Sequence, residues 1–129
     1  VANNLKVVEN LDKVTVHIAS TVTNLSVLRL KEFYKRYKNY KIESFILTTP
    51  EFLNIKHLPD KIKKFLIEDL KDTPNLYEYD KIKNMLSEPR DEDKFQLSLK
   101  YLIDTDTLYG RKKGVFDLWP ELKQYWRHT

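Results

Sequence analysis

Cysteine is missing from this 129-residue chain. Its absence excludes disulfides, thiolate catalysis, cysteine zinc sites and cysteine-ligated iron–sulfur clusters built from the chain's own residues. It fits a cytoplasmic protein. Glycine is scarce, with Gly110 and Gly114 alone, so a glycine-rich phosphate cradle is excluded. No apolar run approaches the ~20 residues needed to cross a bilayer. Asn3, Asn4 and Lys6 interrupt any signal-peptide start. No membrane partner is expected. Charge of one sign is in small excess, +4 net. That aids solubility and tolerates an anionic ligand, but it is milder and less concentrated than in most nucleic-acid domains, so a nucleic-acid partner is disfavoured.

What is present is an ordinary globular share of hydrophobic residues, 41%, in a length that makes one domain with one core. We read 1–129 as a single domain, strand–helix–strand over 1–50 and mainly helical over 51–129. The opening VANNLKVVENLD has no initiating methionine. It reads as the amputated end of something longer, or as a trimmed tag. Val7, Val8 and Leu11 fit either the close of a helix or the entry to a strand.

Val14, Val16 and Ile18 alternate with Thr15 and His17, the period-two pattern of a strand. Asn24 is a good N-cap for the next helix. Val27, Leu30, Phe33, Tyr34 and Tyr37 then share one helical stripe. Arg29, Glu32, Lys35, Arg36 and Asn39 lie opposite, toward water. Ser44–Thr48 is the second strand, with Phe45, Ile46 and Leu47 as a buried run and Pro50 as its stop. A helix between two strands fits a crossover and parallel pairing. Glu51–Leu58 reads as extended or a short turn. Pro59 suits a first helical position, with Ile62, Phe65, Leu66 and Leu70 as the inner face of a helix over 60–71. Further helices are expected around Tyr79–Leu86, over 92–109 with Gly110 as C-terminal turn, and from Pro120, where Leu122, Tyr125 and Trp126 can dock. The fold class is α/β: a short parallel sheet from a βαβ unit, followed by a helical C-terminal tail.

Ser20, Thr21, Thr23 and Asn24 fall where the first strand hands over to its helix. Ligands of open α/β units bind beyond the carboxyl ends of strands, and small polar residues also cap helices there. His17 sits mid-strand and reads as a partly buried or face-switching histidine. His57 and His128 have no metal-ligand spacing. Glu68 and Asp69 close one helix, and Asp91, Glu92 and Asp93 open another, where they favour its positive end. Asp104 and Asp106 are placed to pair with Arg111 or Lys112. The stretch KEFYKRYKNYK interleaves basic and aromatic residues, but its tyrosines share the core stripe, which favours a surface helix over a nucleic-acid contact.

Two stretches together resemble the C-terminal half of radical S-adenosylmethionine enzymes of the twitch-domain type. One is TTPEFLNIKHLPDKIKK, with Pro50, Leu53, Ile55, Leu58, Pro59 and Lys63. The other is RKKGVFDLWPEL, with Arg111, Phe116, Pro120, Glu121 and Leu122. IASTVTNLSVLRLKEFY resembles the family's late barrel strand and its helix, so the likeness spans about residues 13–122. The resemblance implies one half of a partial (β/α)6 barrel that holds a 4Fe–4S cluster and S-adenosylmethionine. It implies that Ser20, Thr21 and Asn24 face the cofactor's ribose and amino-acid end, and that Thr48, Thr49 and Pro50 lie near its adenine. The cluster cysteines are absent, and Leu108 stands where the family carries an aspartate before the signature arginine.

The chain is therefore expected to be a C-terminal portion of such an enzyme, not competent alone and holding no cofactor itself. Its uncovered sheet edge invites a homo-oligomer. The alternative is a small α/β binding or scaffold module that recognises a nucleotide or RNA. A hydrolase or transferase has no nucleophile-and-base arrangement to support it.

Overall fold

The computed structural model describes residues 6, 7 and 15–127. Val8, Leu11, Val14 and His128 lie outside them. Strand β1 (His17–Val22) leads through a 3₁₀ turn (Ser26–Arg29) into helix α1 (Leu30–Arg36), which returns the chain to β2 (Lys41–Ile46). Two short 3₁₀ turns follow, Glu51–Leu53 and Ile55–His57. The rest is helical: α2 (Asp60–Leu70), α3 (Tyr79–Leu86), α4 (Glu92–Leu108), α5 (Val115–Leu118) and a closing 3₁₀ turn, Pro120–Tyr125. This is a small α/β fold, 57% helical over the described residues.

β1 and β2 are parallel neighbours, in register from His17 opposite Lys41 to Val22 opposite Ile46. Side chains alternate across the sheet. Ile18, Ser20 and Val22, with Ile42, Ser44 and Ile46, face the helices. His17, Ala19 and Thr21, with Lys41, Glu43 and Phe45, are exposed. The core lies on the helix side, where Val27, Leu30 and Tyr34 of the crossover meet Leu66 and Leu70 of α2, Ile82 and Leu86 of α3, and Phe95 and Leu99 of α4.

Several expectations need correcting. The second strand runs over Lys41–Ile46, not Ser44–Thr48, and is buried on one side alone. Phe45, expected inside, is 56% exposed, because strand alternation sends it to the bare face with His17. Phe65 is 63% exposed. Ile62, Leu66 and Leu70 fill the inner stripe of α2, and beside them Lys63 is buried. Pro59 precedes α2 as its N-cap rather than opening it. Asn24 does not cap the crossover. Thr23 turns the chain instead, its hydroxyl accepting from the N–H groups of Leu25 and Ser26. Arg29, expected in water, pairs with Glu121.

Other expectations hold. Asp91 caps α4 by accepting from Asp93 and Lys94. Gly110 adopts φ 59° to close that helix. Asp106 pairs with Arg111 and also accepts from the Val115 N–H; Asp104 departs from the expectation and pairs with Lys100, one helical turn before it, instead of Arg111 or Lys112.

Candidate functional site

Strand geometry separates the residues expected to line a ligand. Thr21 is on the bare face, opposite Phe45. Ser20, its neighbour, is on the helix side, where it lines an open groove of about 400 Å³ with Ala19, Ser26, Leu30, Phe33 and Trp119. Asn24 is turned inward and is 2% exposed. Its Nδ2 donates to Ser98 Oγ at 2.9 Å, and its backbone N–H donates to Leu53 O at 3.1 Å. These two bonds stitch the carboxyl end of β1 to α4 and to the first turn after β2. Thr48 and Thr49 are exposed just past β2. Thr21, Thr48 and Thr49 thus remain open to solvent at the strand ends, Ser20 sits in a separate groove, and Asn24 belongs to the interior.

The two edges of the sheet differ. The Leu47 N–H donates to Val22 O at 3.0 Å, which fixes the alternation of backbone groups. Ile18, Ser20 and Val22 turn theirs toward β2. His17, Ala19 and Thr21 turn theirs outward. On β2 the outward residues are Ile42, Ser44 and Ile46. There the Ser44 N–H donates to Glu78 Oε1 at 3.4 Å, and the Ser44 hydroxyl bonds the Tyr34 hydroxyl. Burial pushes the Tyr34 phenol up, the Ser44 bond opposes this, and the nearby Glu78 charge adds to it. Glu78 Oε2 is buried without a partner. On β1 the Thr21 carbonyl accepts from Ser26 Oγ at 2.8 Å, while Ala19 has no bonding partner on its outer side among the described residues.

A second polar cluster escaped the sequence reading. His57 is 4% exposed. Its Nδ1 accepts from the Asp91 N–H at 2.9 Å, so Nε2 carries the proton and donates to Glu51 Oε1, also at 2.9 Å. Hydrogen bonds from His57 and then Lys56 hold the Glu51 carboxyl below its ordinary range. Arg90 donates to the His57 carbonyl and pairs with Glu92. Nearby Lys63, 5% exposed, donates to Glu88 O at 2.8 Å, and burial pulls its ammonium down. Both His57 nitrogens are committed, which leaves no lone pair for proton abstraction. The cluster clamps the turns after β2 to the start of α4. Glu51 and His57 share no periodic spacing, and nothing in the local pattern flags them.

The C-terminal stretch around Glu121 is also tied down. Arg29 forks onto Glu121, at 2.8 and 3.3 Å, and onto Leu118 O. Burial raises the Glu121 carboxyl, but the Arg29 bond, a backbone bond and the Arg29 charge outweigh it and leave the group below its usual range. Among the described residues no His, Asp and Glu side chains group as metal ligands, and no helix is long and apolar enough to cross a membrane. No family model, curated protein or solved structure matches the chain.

Proposed function

We propose that this chain is the C-terminal portion of a radical S-adenosylmethionine-type enzyme, a cytoplasmic protein without self-contained activity. One observation carries the reading. A two-stranded parallel sheet is clothed by helices on one face and exposed on the other. Parallel sheets are ordinarily covered on both faces or closed into barrels. A bare inner face is what a section cut from a barrel would present once the rest of the barrel is missing. The resemblance in the Pro50–Lys63 and Arg111–Leu122 stretches points the same way.

The cluster does not fit this chain, because no thiolate is available to hold it. For S-adenosylmethionine the fit is partial. Thr21, Thr48 and Thr49 offer exposed hydroxyls, whereas Asn24 is buried, its Nδ2 held by Ser98 and its Oδ1 enclosed without a partner. The open sheet edge also makes the isolated chain a homo-oligomer in this reading.

The test is the encoding locus and its product. A CxxxCxxC stretch on the order of a hundred residues upstream is expected, a spacing set by domain size. The extended protein, reconstituted anaerobically, should cleave S-adenosylmethionine to 5′-deoxyadenosine. A locus with no such stretch in the frame or beside it would sink the proposal. A second reading, RNA recognition, is favoured by Lys35, Arg36 and Lys38, exposed on one helix and its end. It requires a salt-dependent mobility shift with single-stranded RNA.

A further inference from the structure

Natural sheets protect their edges with charge, proline or cover. Here, among the described residues, one edge is protected and the other is not. β2 carries Lys41 and Glu43 on its exposed face, and its outward Ser44 N–H is taken by the Glu78 carboxylate. The β1 sequence HIASTV has no Asp, Glu, Lys, Arg or Pro. Its outward Ala19 is exposed, with N–H and C=O unpaired among the described residues. We propose that a second copy of this chain pairs antiparallel along the outer edge of β1, about a two-fold axis at Ala19. This deepens the sheet-edge part of the reading above.

The edge is self-complementary. Its three outward residues, His17, Ala19 and Thr21, centre on the smallest side chain. A two-fold axis there sets Ala19 opposite Ala19 of the second copy and His17 opposite Thr21 of that copy. Each Ala19 then exchanges both backbone hydrogen bonds. No like charges meet across the pair, which would otherwise oppose it. Thr21 O already accepts from Ser26 Oγ, but a carbonyl keeps a second lone pair. The joined sheet, in the order β2–β1–β1–β2, has four strands, the common size for a stable sheet. The groove beside Leu30, Phe33 and Trp119 runs along this same edge and adds apolar cover.

A pairing this short buries far less than the roughly 1,600 Å² of a standard interface. The dimer is therefore weak and concentration-dependent. Each copy carries +4 net charge, so added salt strengthens the association by screening repulsion.

Three measurements test this. Sedimentation of the wild-type chain over a concentration series should show monomer–dimer exchange that tightens with salt. Ala19→Pro removes an N–H that the β1–β2 ladder does not use. It should weaken association at least tenfold with an unchanged circular dichroism spectrum. Ala19→Cys, the sole thiol in the chain, should form a disulfide dimer under mild oxidation far faster than Lys64→Cys on α2, since antiparallel partners sit within disulfide reach. The Cys comparison still decides if the Pro variant fails to fold. A monomer at all concentrations overturns the proposal, as do equal crosslinking rates for the two Cys variants, or association that weakens with salt, which an acidic or RNA partner would give. The outcome is independent of the locus test. A dimer without upstream cysteines sinks the enzyme reading alone, and upstream cysteines without a dimer sink this one alone.

Discussion

The polar groups around β1 and β2 and those between the Glu51 turn and α4 meet different fates. In the second region they are spent on the protein itself. His57, Lys63 and Arg90 each bond a backbone group or a carboxylate. At the strand ends Thr21, Thr48 and Thr49 are exposed, and the outer backbone groups of Ala19 have no partner among the described residues. Perturbed, buried, hydrogen-bonded side chains invite assignment as an active site. Here His57, Lys63 and Arg90 already have their partners, which reverses that assignment. The saturated cluster is framework, and the proposed ligand and partner contacts fall on the threonine-bearing side.

The most damaging way to break this contrast is at His57. Replacing His57 by Ala removes the acceptor of the Asp91 N–H and the donor to Glu51, and opens a cavity where the buried ring sat. Loss of about 3 kcal/mol is expected in urea unfolding, from lost packing plus the lost hydrogen bonds. A variant as stable as wild type would show that the clamp does not hold the turns. A smaller loss, about 1–2 kcal/mol, is expected for Asn24→Ala, which removes the buried bond to Ser98. That result separates a residue that ties β1 to α4 from one kept for a ligand.

Much of this architecture was legible in the chain. Val27, Leu30 and Tyr34 at helical spacing gave the crossover, and Asp91 with Gly110 bracketed α4. The failures share a cause. A continuous apolar run such as Phe45–Leu47 reads as buried on both sides, but pattern alone does not say whether a second layer covers the sheet. Phe65 and Lys63 exchanged roles for a similar reason. The stripe on α2 sits between two placements, and the Glu88 carbonyl, 25 residues away, makes the inward lysine tolerable. The clamp was illegible because His57, Glu51 and Asp91 come together only through the path of the backbone. The candidate site fared worse than the fold. Ser20 and Thr21 are adjacent in sequence, and that adjacency guarantees opposite faces once they lie in a strand.

Lys63 sharpens the comparison through pH. Its native ammonium is held below the ordinary value of 10.5, chiefly by burial. Between the lowered native value and 10.5 the unfolded chain binds more protons than the folded one. Stability from this group therefore rises with pH across that window. Lys63→Met should flatten the rise and leave stability at neutral pH within about 1 kcal/mol of wild type, because removing a buried charge offsets the lost bond to Glu88 O. Denaturant midpoints measured from neutral to alkaline pH check both points. An unchanged alkaline slope would assign the rise to another group.

The smallest effect is expected where function is proposed. Thr21→Val and Thr48→Val remove hydroxyls that are exposed. Surface changes of this kind shift stability by no more than about 0.5 kcal/mol. Valine also suits a strand as well as threonine does, so the β1–β2 ladder should persist in Thr21→Val. Stability unchanged together with weaker S-adenosylmethionine binding in the upstream-extended protein is the pattern a ligand-facing hydroxyl predicts. A loss near that of Asn24→Ala would instead place Thr21 in the framework, and the contrast between the two regions would fall at its most exposed point.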